Sequence, residues 1–397
     1  MVIPAQGIAM LRTESAFSVL ARATALAAAG KDVINLGIGQ PDFRTPEAVV
    51  EAGIKALRDG HHGYTPAGGV APLREAVAAD LARRLSIQVD PGRLLIVPGG
   101  KVTMYFAMVM FGEPGVEILY PDPGFPTYRS VIDFTGATAV PIPLTEDRGF
   151  GFSADEVLAR VTPRTRLIIL NSPANPTGGV TAPEEIARLA EGLAAFPDVA
   201  VLSDEIYGQM LYDGAAHQSL LQFESLRERV ILLDGWSKTY AMTGWRLGYG
   251  VWPEALVESA TRLAINSHSC VNAAAQYAGL EALTGPQDSV AQMMAAFARR
   301  RDVVVEELNC LPGVTCQMPG GAFYAFPNVT GTGMDSATLE HRLLEEAGVA
   351  TIAGTSFGDL GEGYLRVSYA NSEENIREAM GRFRELLEER TPPLTPR

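Results

Sequence analysis

The sequence predicts an α/β protein, with a large domain built on a mostly parallel sheet followed by a smaller α+β domain. Three observations carry this. Short apolar runs alternate with stretches of helical periodicity over most of the 397 residues, the pattern of strand–helix–strand units. A long helical pattern then links that region to a C-terminal part in which strands and helices are arranged differently. The length allows more than one core at about 100–200 residues per domain, and 47% hydrophobic with 20% charged residues is an ordinary globular composition.

Taken in order, the first dozen residues read as an arm, and Ser15 to Ala29 is Ala/Leu-rich with helical spacing up to Gly30, a helix-ending residue. Strand-like runs follow at LLIVP (94–98), VEILY (116–120), RLIIL (166–170), VAVLS (199–203), VILLD (230–234) and WRLGYG (245–250). From about Pro286 a long helix is expected to run to Asn309. After it come strand-like FYAFPN (323–328), a helix over 335–347, strand-like YLRVSY (364–369) and a terminal helix over 372–390. The final TPPLTPR reads as a frayed tail. There is no internal repeat, low-complexity tract or Pro/Ser-rich linker.

Composition excludes several function classes. The 32 basic and 46 acidic residues give a net charge of −14, and the longest basic run is Arg299-Arg300-Arg301. Neither nucleic acid nor an anionic membrane is an expected partner. Three cysteines without a C-x-x-C pair fit reduced thiols and a cytoplasmic location. The N-terminus lacks a signal-peptide pattern, and the apolar stretch Val102 to Gly112 is too short to span a bilayer. Gly354-Thr355-Ser356-Phe357-Gly358 matches a nucleophile-elbow pattern, but no histidine capable of serving Ser356 follows it in the order hydrolases require. It reads as a turn between strands. Gly37-Ile38-Gly39 is an incomplete dinucleotide fingerprint. His61, His62, His217, His268 and His341 lack metal-ligand spacing and read as surface or satisfied histidines, so no metal is expected.

Only four of the basic residues are lysines, which allows each to be weighed. Lys31, after a helix-ending glycine, reads as exposed in a turn, and Lys55 as part of a solvated helix face. Lys101 follows Gly99-Gly100 at the start of a helix, where backbone N–H groups and the helix dipole favour an anion such as phosphate. Lys238 follows strand VILLD, at the carboxyl end where α/β sheets place ligands, and is a candidate Schiff-base nucleophile. Such an amine, working with an aldehyde cofactor, needs a carboxylate for a pyridine nitrogen, donors to a phenolate oxygen, an arginine and helix N-terminus for a phosphate, and an aromatic face. Candidates stand at successive strand ends: Asn175 in NSPANPTG, Asp204 and Tyr207 in SDEIY, and Arg246 in MTGWRLG. Each alone has a plain explanation, a turn at Asn-Pro-Thr-Gly or a helix cap at Asp204-Glu205.

The ordered set resembles the class I aminotransferases of the aspartate aminotransferase superfamily, fold type I enzymes dependent on pyridoxal 5′-phosphate. The resemblance runs nearly end to end: LGIGQPDF (36–43), GYTPAGG (63–69), PGGK (98–101), NSPANPTGG (171–179), SDEIY (203–207), SKTYAMTGWRLGY (237–249) and YLRVSYA (364–370). It implies a chain divided into an N-terminal arm and helix belonging to the small domain (1–46), a large cofactor-binding domain (47–285), and an interdomain helix with the C-terminal small domain (286–397). It also implies that Lys238 holds the cofactor as an internal aldimine and acts as acid/base, that Asp204 pairs with the pyridinium nitrogen, and that Asn175 and Tyr207 bind the phenolate oxygen. Phe125 would stack on the ring. Arg246, Ser237 and the backbone of Gly100 and Lys101 would hold the phosphate, joined by Tyr64 of a neighbouring subunit in a homodimer. Arg366 would grip the substrate α-carboxylate in the bidentate geometry guanidinium favours, assisted by Asn175 and the Gly39 N–H.

Two departures stand out. Gly235 occupies a position where many relatives carry a phosphate-binding serine, so one phosphate contact is either missing or supplied by Ser237. Glu14 and Ala16 fall where aspartate-preferring relatives carry small hydroxyl residues. If Glu14 points inward it would repel a dicarboxylic substrate, whereas Lys101, used by some relatives for a distal carboxylate, would attract one. The expected activity is ping-pong amino transfer from an L-amino acid (aspartate, aromatic or alanine-like) to a 2-oxo acid such as 2-oxoglutarate. The alternatives are a lyase using the same cofactor on the same fold, or a non-catalytic effector-binding domain of a regulator.

Overall fold

The seven strands of the large sheet, numbered here in chain order, are β1 (Leu94–Val97), β2 (Glu117–Asp122), β3 (Thr138–Pro143), β4 (Thr165–Asn171), β5 (Ala200–Asp204), β6 (Val230–Gly235) and β7 (Gly248–Val251). The computed structural model describes residues 2 and 5–388. Across the sheet the strand order is β1-β7-β6-β5-β4-β2-β3, parallel throughout except for β7, which runs antiparallel to both β1 and β6. The large domain therefore has the mostly parallel sheet expected from its alternating pattern.

Near-continuous apolar runs arise because both faces of this sheet are covered. Alternate residues of each strand enter two different cores: Ile96, Leu119, Ile168, Val201 and Leu232 on one side, and Val97, Ile118, Ile169, Leu202 and Leu233 on the other. β3 was not expected from sequence. It is an edge strand carrying Pro141 and Pro143, with partly exposed residues along most of its length, and it offers no apolar run to read.

The C-terminal part has its own core around Phe297, Phe323, Tyr369 and Phe383. The long helix spans Asp288–Asn309 and packs against Glu373–Glu388. A three-stranded antiparallel sheet joins Tyr324–Ala325, Leu365–Ser368 and Ile352–Ala353. Ile34–Asn35, just after the first helix Ser15–Ala28, pairs in parallel with Val349–Ala350, so the N-terminal segment is stitched to the C-terminal part.

Several boundaries differ from the sequence reading. The FYAFPN strand is only two residues long, and the helix expected over 335–347 is α-helical from Ser336 to Arg342 before widening into a π-turn, Leu343–Ala347, that Gly348 ends with φ 69°. The Gly354–Phe357 segment is a 3₁₀ turn between two short strands. Lys31 is not free in its turn: it is partly buried and donates to the Glu345 carbonyl. The TPPLTPR tail and the last two residues of the expected terminal helix lie outside the described residues. No helix among the described residues is long and apolar enough to cross a membrane.

Candidate active site

Three strand ends converge at one edge of the large sheet. Asn171, closing β4, stands opposite Asp204, closing β5, which in turn stands opposite Leu233 of β6. The segments NSPANPTGG, DEIY and GWSKTY therefore leave the sheet side by side, at the carboxyl edge where open α/β sheets bind ligands. They floor a cavity of about 500 Å³. Its other walls come from Gly39, from Gly100, Lys101 and Phe125, and from Tyr324 and Arg366. Small-domain strands, the N-terminal segment and the large sheet thus share one cavity.

The structure brings together Lys238, Asp204, Tyr207, Asn175, Ser237, Arg246, Gly100, Lys101, Phe125, Gly39 and Arg366 on that cavity. Tyr64 stands apart. Its side chain is 94% exposed and does not line the cavity of its own chain. Gly235 also lies off the cavity, whereas Ser237 lines it. A Cβ at position 235 would press on the Gly248 Cα at 2.8 Å, so the close approach of β6 and β7 leaves no room for a serine there without a shift.

Lys238 is partly buried, and its Nζ donates to the Gly39 carbonyl at 2.6 Å. Burial first, then the Arg366 and Arg246 charges, bring its pKa down to about 7, with Asp204 acting in the opposite sense. A substantial neutral fraction of the amine is thus available near neutrality. Asp204 accepts from the Tyr128 hydroxyl at 2.6 Å and from the Ile206 N–H at 3.3 Å. Its burial raises the pKa to about 6, outweighing the Tyr128 and Ile206 hydrogen bonds.

Arg366 is 3% exposed, and its hydrogen-bond partners among the described residues are an amide oxygen and a backbone carbonyl rather than a carboxylate. One terminal nitrogen donates to Asn175 Oδ1 at 2.9 Å and the other to the Gly37 carbonyl at 2.5 Å, while Nε has no partner. Its guanidinium carbon lies 4.7 Å from the Tyr324 ring centroid and 4.8 Å from that of Phe357. A buried guanidinium without its counter-charge invites an anion.

These residues fit pyridoxal phosphate. Lys238 offers an amine with the lowered pKa that attack on an aldehyde requires. Asp204 offers a buried carboxylate, and Asn175 and Tyr207 offer polar atoms on the same floor. Gly99 and Gly100 precede the helix Lys101–Phe111, whose N-terminus opens on the cavity and suits a phosphate. A Cβ at Gly99, where φ is 89°, would strike the Arg246 guanidinium, so the bare backbone keeps this cradle open.

Sequence reasoning missed two contacts. Tyr128 is fully buried, and its hydroxyl holds Asp204. Tyr324 shares a 2.7 Å hydrogen bond with Tyr207 and sits so close to Gly39 that a Cβ there would meet its hydroxyl. The available signal was a tyrosine in an otherwise apolar strand, since a buried phenol hydroxyl needs a partner. The helix cap considered for Asp204-Glu205 is absent. Glu205 instead accepts from Ser203, Ser219 and His217.

Comparison with known proteins gives a consistent result. The family model described as aminotransferase class I and II matches residues 31–383. The aspartate aminotransferase of Pyrococcus horikoshii is 40% identical over 360 residues, covering 90% of this chain and 91% of that protein. Aromatic-amino-acid aminotransferase 2 of Thermococcus litoralis is 37% identical over 361 residues, covering 90% and 92%. Among solved structures, the aspartate aminotransferase of Rhizobium meliloti superposes with a TM-score of 0.93 at 33% identity, covering 98% of this chain and 99% of that one.

Proposed function

The chain belongs to the class I and II aminotransferases, and from that premise we propose that it uses pyridoxal 5′-phosphate, held at Lys238, to move an amino group from an L-amino acid to a 2-oxo acid such as 2-oxoglutarate. The donor is aspartate, aromatic or alanine-like. The observation that carries this reading is Arg366, buried without a carboxylate partner beside an amine whose pKa lies near 7. One group is suited to an α-carboxylate and the other to an aldehyde.

When bound, the cofactor supplies an aldehyde to receive the amino group and an electron-withdrawing ring that makes the substrate Cα acidic. The protein supplies position and proton transfer. Arg366, kept in place by Asn175 and Gly37, orients the α-carboxylate and so presents the Cα–H to the floor of the cavity. Lys238 Nζ takes that proton. Asp204, held by Tyr128, would pair with the ring nitrogen and keep it protonated, and Asn175 and Tyr207 would serve as donors to the phenolate oxygen. The Gly100 and Lys101 backbone, Ser237 and Arg246 would hold the phosphate, joined by Tyr64 from a second copy in a homodimer. Retention of the α-carboxylate by Arg366 disfavours decarboxylation.

Borohydride reduction of the coloured enzyme followed by peptide mapping is expected to place the cofactor on Lys238, and a label on Lys101 overturns the assignment. A panel of amino donors, with 2-oxoglutarate and pyruvate as acceptors, tests the transfer. Release of a pyruvate-type product without any acceptor would establish a lyase instead.

A further inference from the structure

The cavity carries four basic side chains, and the proposed function employs three of them: Lys238 for the cofactor aldehyde, Arg246 for phosphate and Arg366 for the α-carboxylate. Lys101 is left for the part of the substrate that varies. Its side chain is 42% exposed, and it forms an ion pair with Glu14, whose side chain is 19% exposed. The Thr127 hydroxyl donates to the same Glu14 oxygen at 3.2 Å. Lys101 Nζ also lies 5.0 Å from the centroid of the Phe125 ring.

Glu14 occupies the N-cap position of the helix Ser15–Ala28 but makes no side-chain capping hydrogen bond to it. Its carboxylate is directed instead to residues 101 and 127, far away in sequence. The same segment also brings Ala16 and Phe17 to the cavity, and the helix that begins at Lys101 brings Met104.

We propose that Glu14 is a specificity-determining residue: by occupying Lys101 it leaves the side-chain end of the cavity electrically neutral, favouring amino acids with uncharged side chains over dicarboxylic ones. This rests on the aminotransferase reading above and names its substrate class. An aromatic or aliphatic side chain meets Ala16, Phe17 and Phe125 with the ion pair intact. A second carboxylate must displace Glu14 from Lys101, and until it does so it faces a like charge. Dicarboxylic acids thus enter at a cost in affinity that uncharged substrates do not bear.

The test uses the cofactor-loaded enzyme and two unreactive ligands, succinate and 3-phenylpropionate, with dissociation constants measured by calorimetry. Glu14→Gln preserves size and an acceptor for Thr127 while releasing Lys101. Succinate is expected to bind up to about five-fold more tightly, the upper end of what an exposed ion pair is worth, with 3-phenylpropionate little changed. Adding Lys101→Met should erase the gain, and Glu14→Ser should reproduce it. Equal shifts for both ligands, no shift for either, or a gain that survives Lys101→Met would overturn the proposal. Failure of every donor in the transfer panel overturns the underlying reading instead, so the two failures are distinguishable.

Discussion

Asp204 and Glu205 are successive carboxylates at the end of one strand, each 3% exposed, yet their surroundings differ in kind. Glu205 is closed. It accepts from Ser203 Oγ at 2.8 Å and Ser219 Oγ at 2.7 Å on one oxygen, and bonds His217 Nε2 at 2.6 Å through the other. Asp204 has two donors, the Tyr128 hydroxyl and the Ile206 N–H, and otherwise faces a cavity bearing Lys238, Arg246 and Arg366. Burial alone does not separate a structural acid from a functional one. What separates them is whether the partners are already in place, because a buried carboxylate must have its charge met from somewhere. Glu205 meets that need within the fold, and Asp204 has acceptor capacity left for a ligand.

The contrast predicts unequal consequences for activity. The largest loss is expected from Lys238→Ala, about 10⁴-fold or more in kcat/KM, because proton transfer alone accounts for ~10²–10⁴-fold and the covalent attachment is lost with it. Asp204→Asn removes a charge placed for the reaction and is expected to cost about 10²–10³-fold, as loss of an electrostatic stabiliser usually does. Glu205→Gln should leave kcat/KM nearly unchanged but destabilise the fold by about 1–3 kcal/mol, the cost of an incompletely satisfied buried group. Urea unfolding and steady-state rates on the same preparations check all three. A Glu205→Gln enzyme that lost activity like Asp204→Asn while melting normally would show that the closed cluster acts on the site, and the distinction would fail.

The same contrast explains what could be read from sequence. Lys238 stood out because lysines are scarce and this one follows a buried strand, and six of the seven sheet strands are apolar runs that two-sided burial requires. β3 escaped because an edge strand with Pro141 and Pro143 needs no such run. Asp204 and Glu205 were indistinguishable in sequence, since the groups that differentiate them, Tyr128 on one side and His217 with Ser219 on the other, arrive from distant segments. Glu14 and Lys101 posed the same difficulty. Each residue type suggested an effect on substrate charge, and only the fold reveals that the two are paired, across 87 positions.

The smallest expected signal is a slope in the stability of the cofactor-free protein with pH, at most about 1.4 kcal/mol per pH unit for each proton exchanged. For Asp204 the folded pKa of about 6 lies above the usual 3.8, so its favourable contribution is complete below pH 3.8 and is lost as pH rises through 6. His217 acts in the same sense: burial opposes its charge, but Glu205 overrides burial and raises the pKa above 6.5, so its contribution is present below that value and declines above it. Lys238 does the reverse. With a folded pKa of about 7 against the usual 10.5, it leaves the unfolded chain holding the extra proton between those values, and stability rises with pH across that interval. Together the three groups impose a dip near neutrality on the stability curve measured by urea unfolding from pH 4 to 10. Lys238→Met should flatten the alkaline limb, Asp204→Asn should make the acid limb shallower, its remainder coming from Asp122, Asp234 and Glu340, whose burial also raises them, and His217→Gln should remove only part of the decline that begins above pH 6.5. If Lys238→Met leaves the alkaline limb intact, the amine is not held neutral by its surroundings, and Lys238 is a full cation beside Asp204 rather than an amine ready for an aldehyde near neutrality.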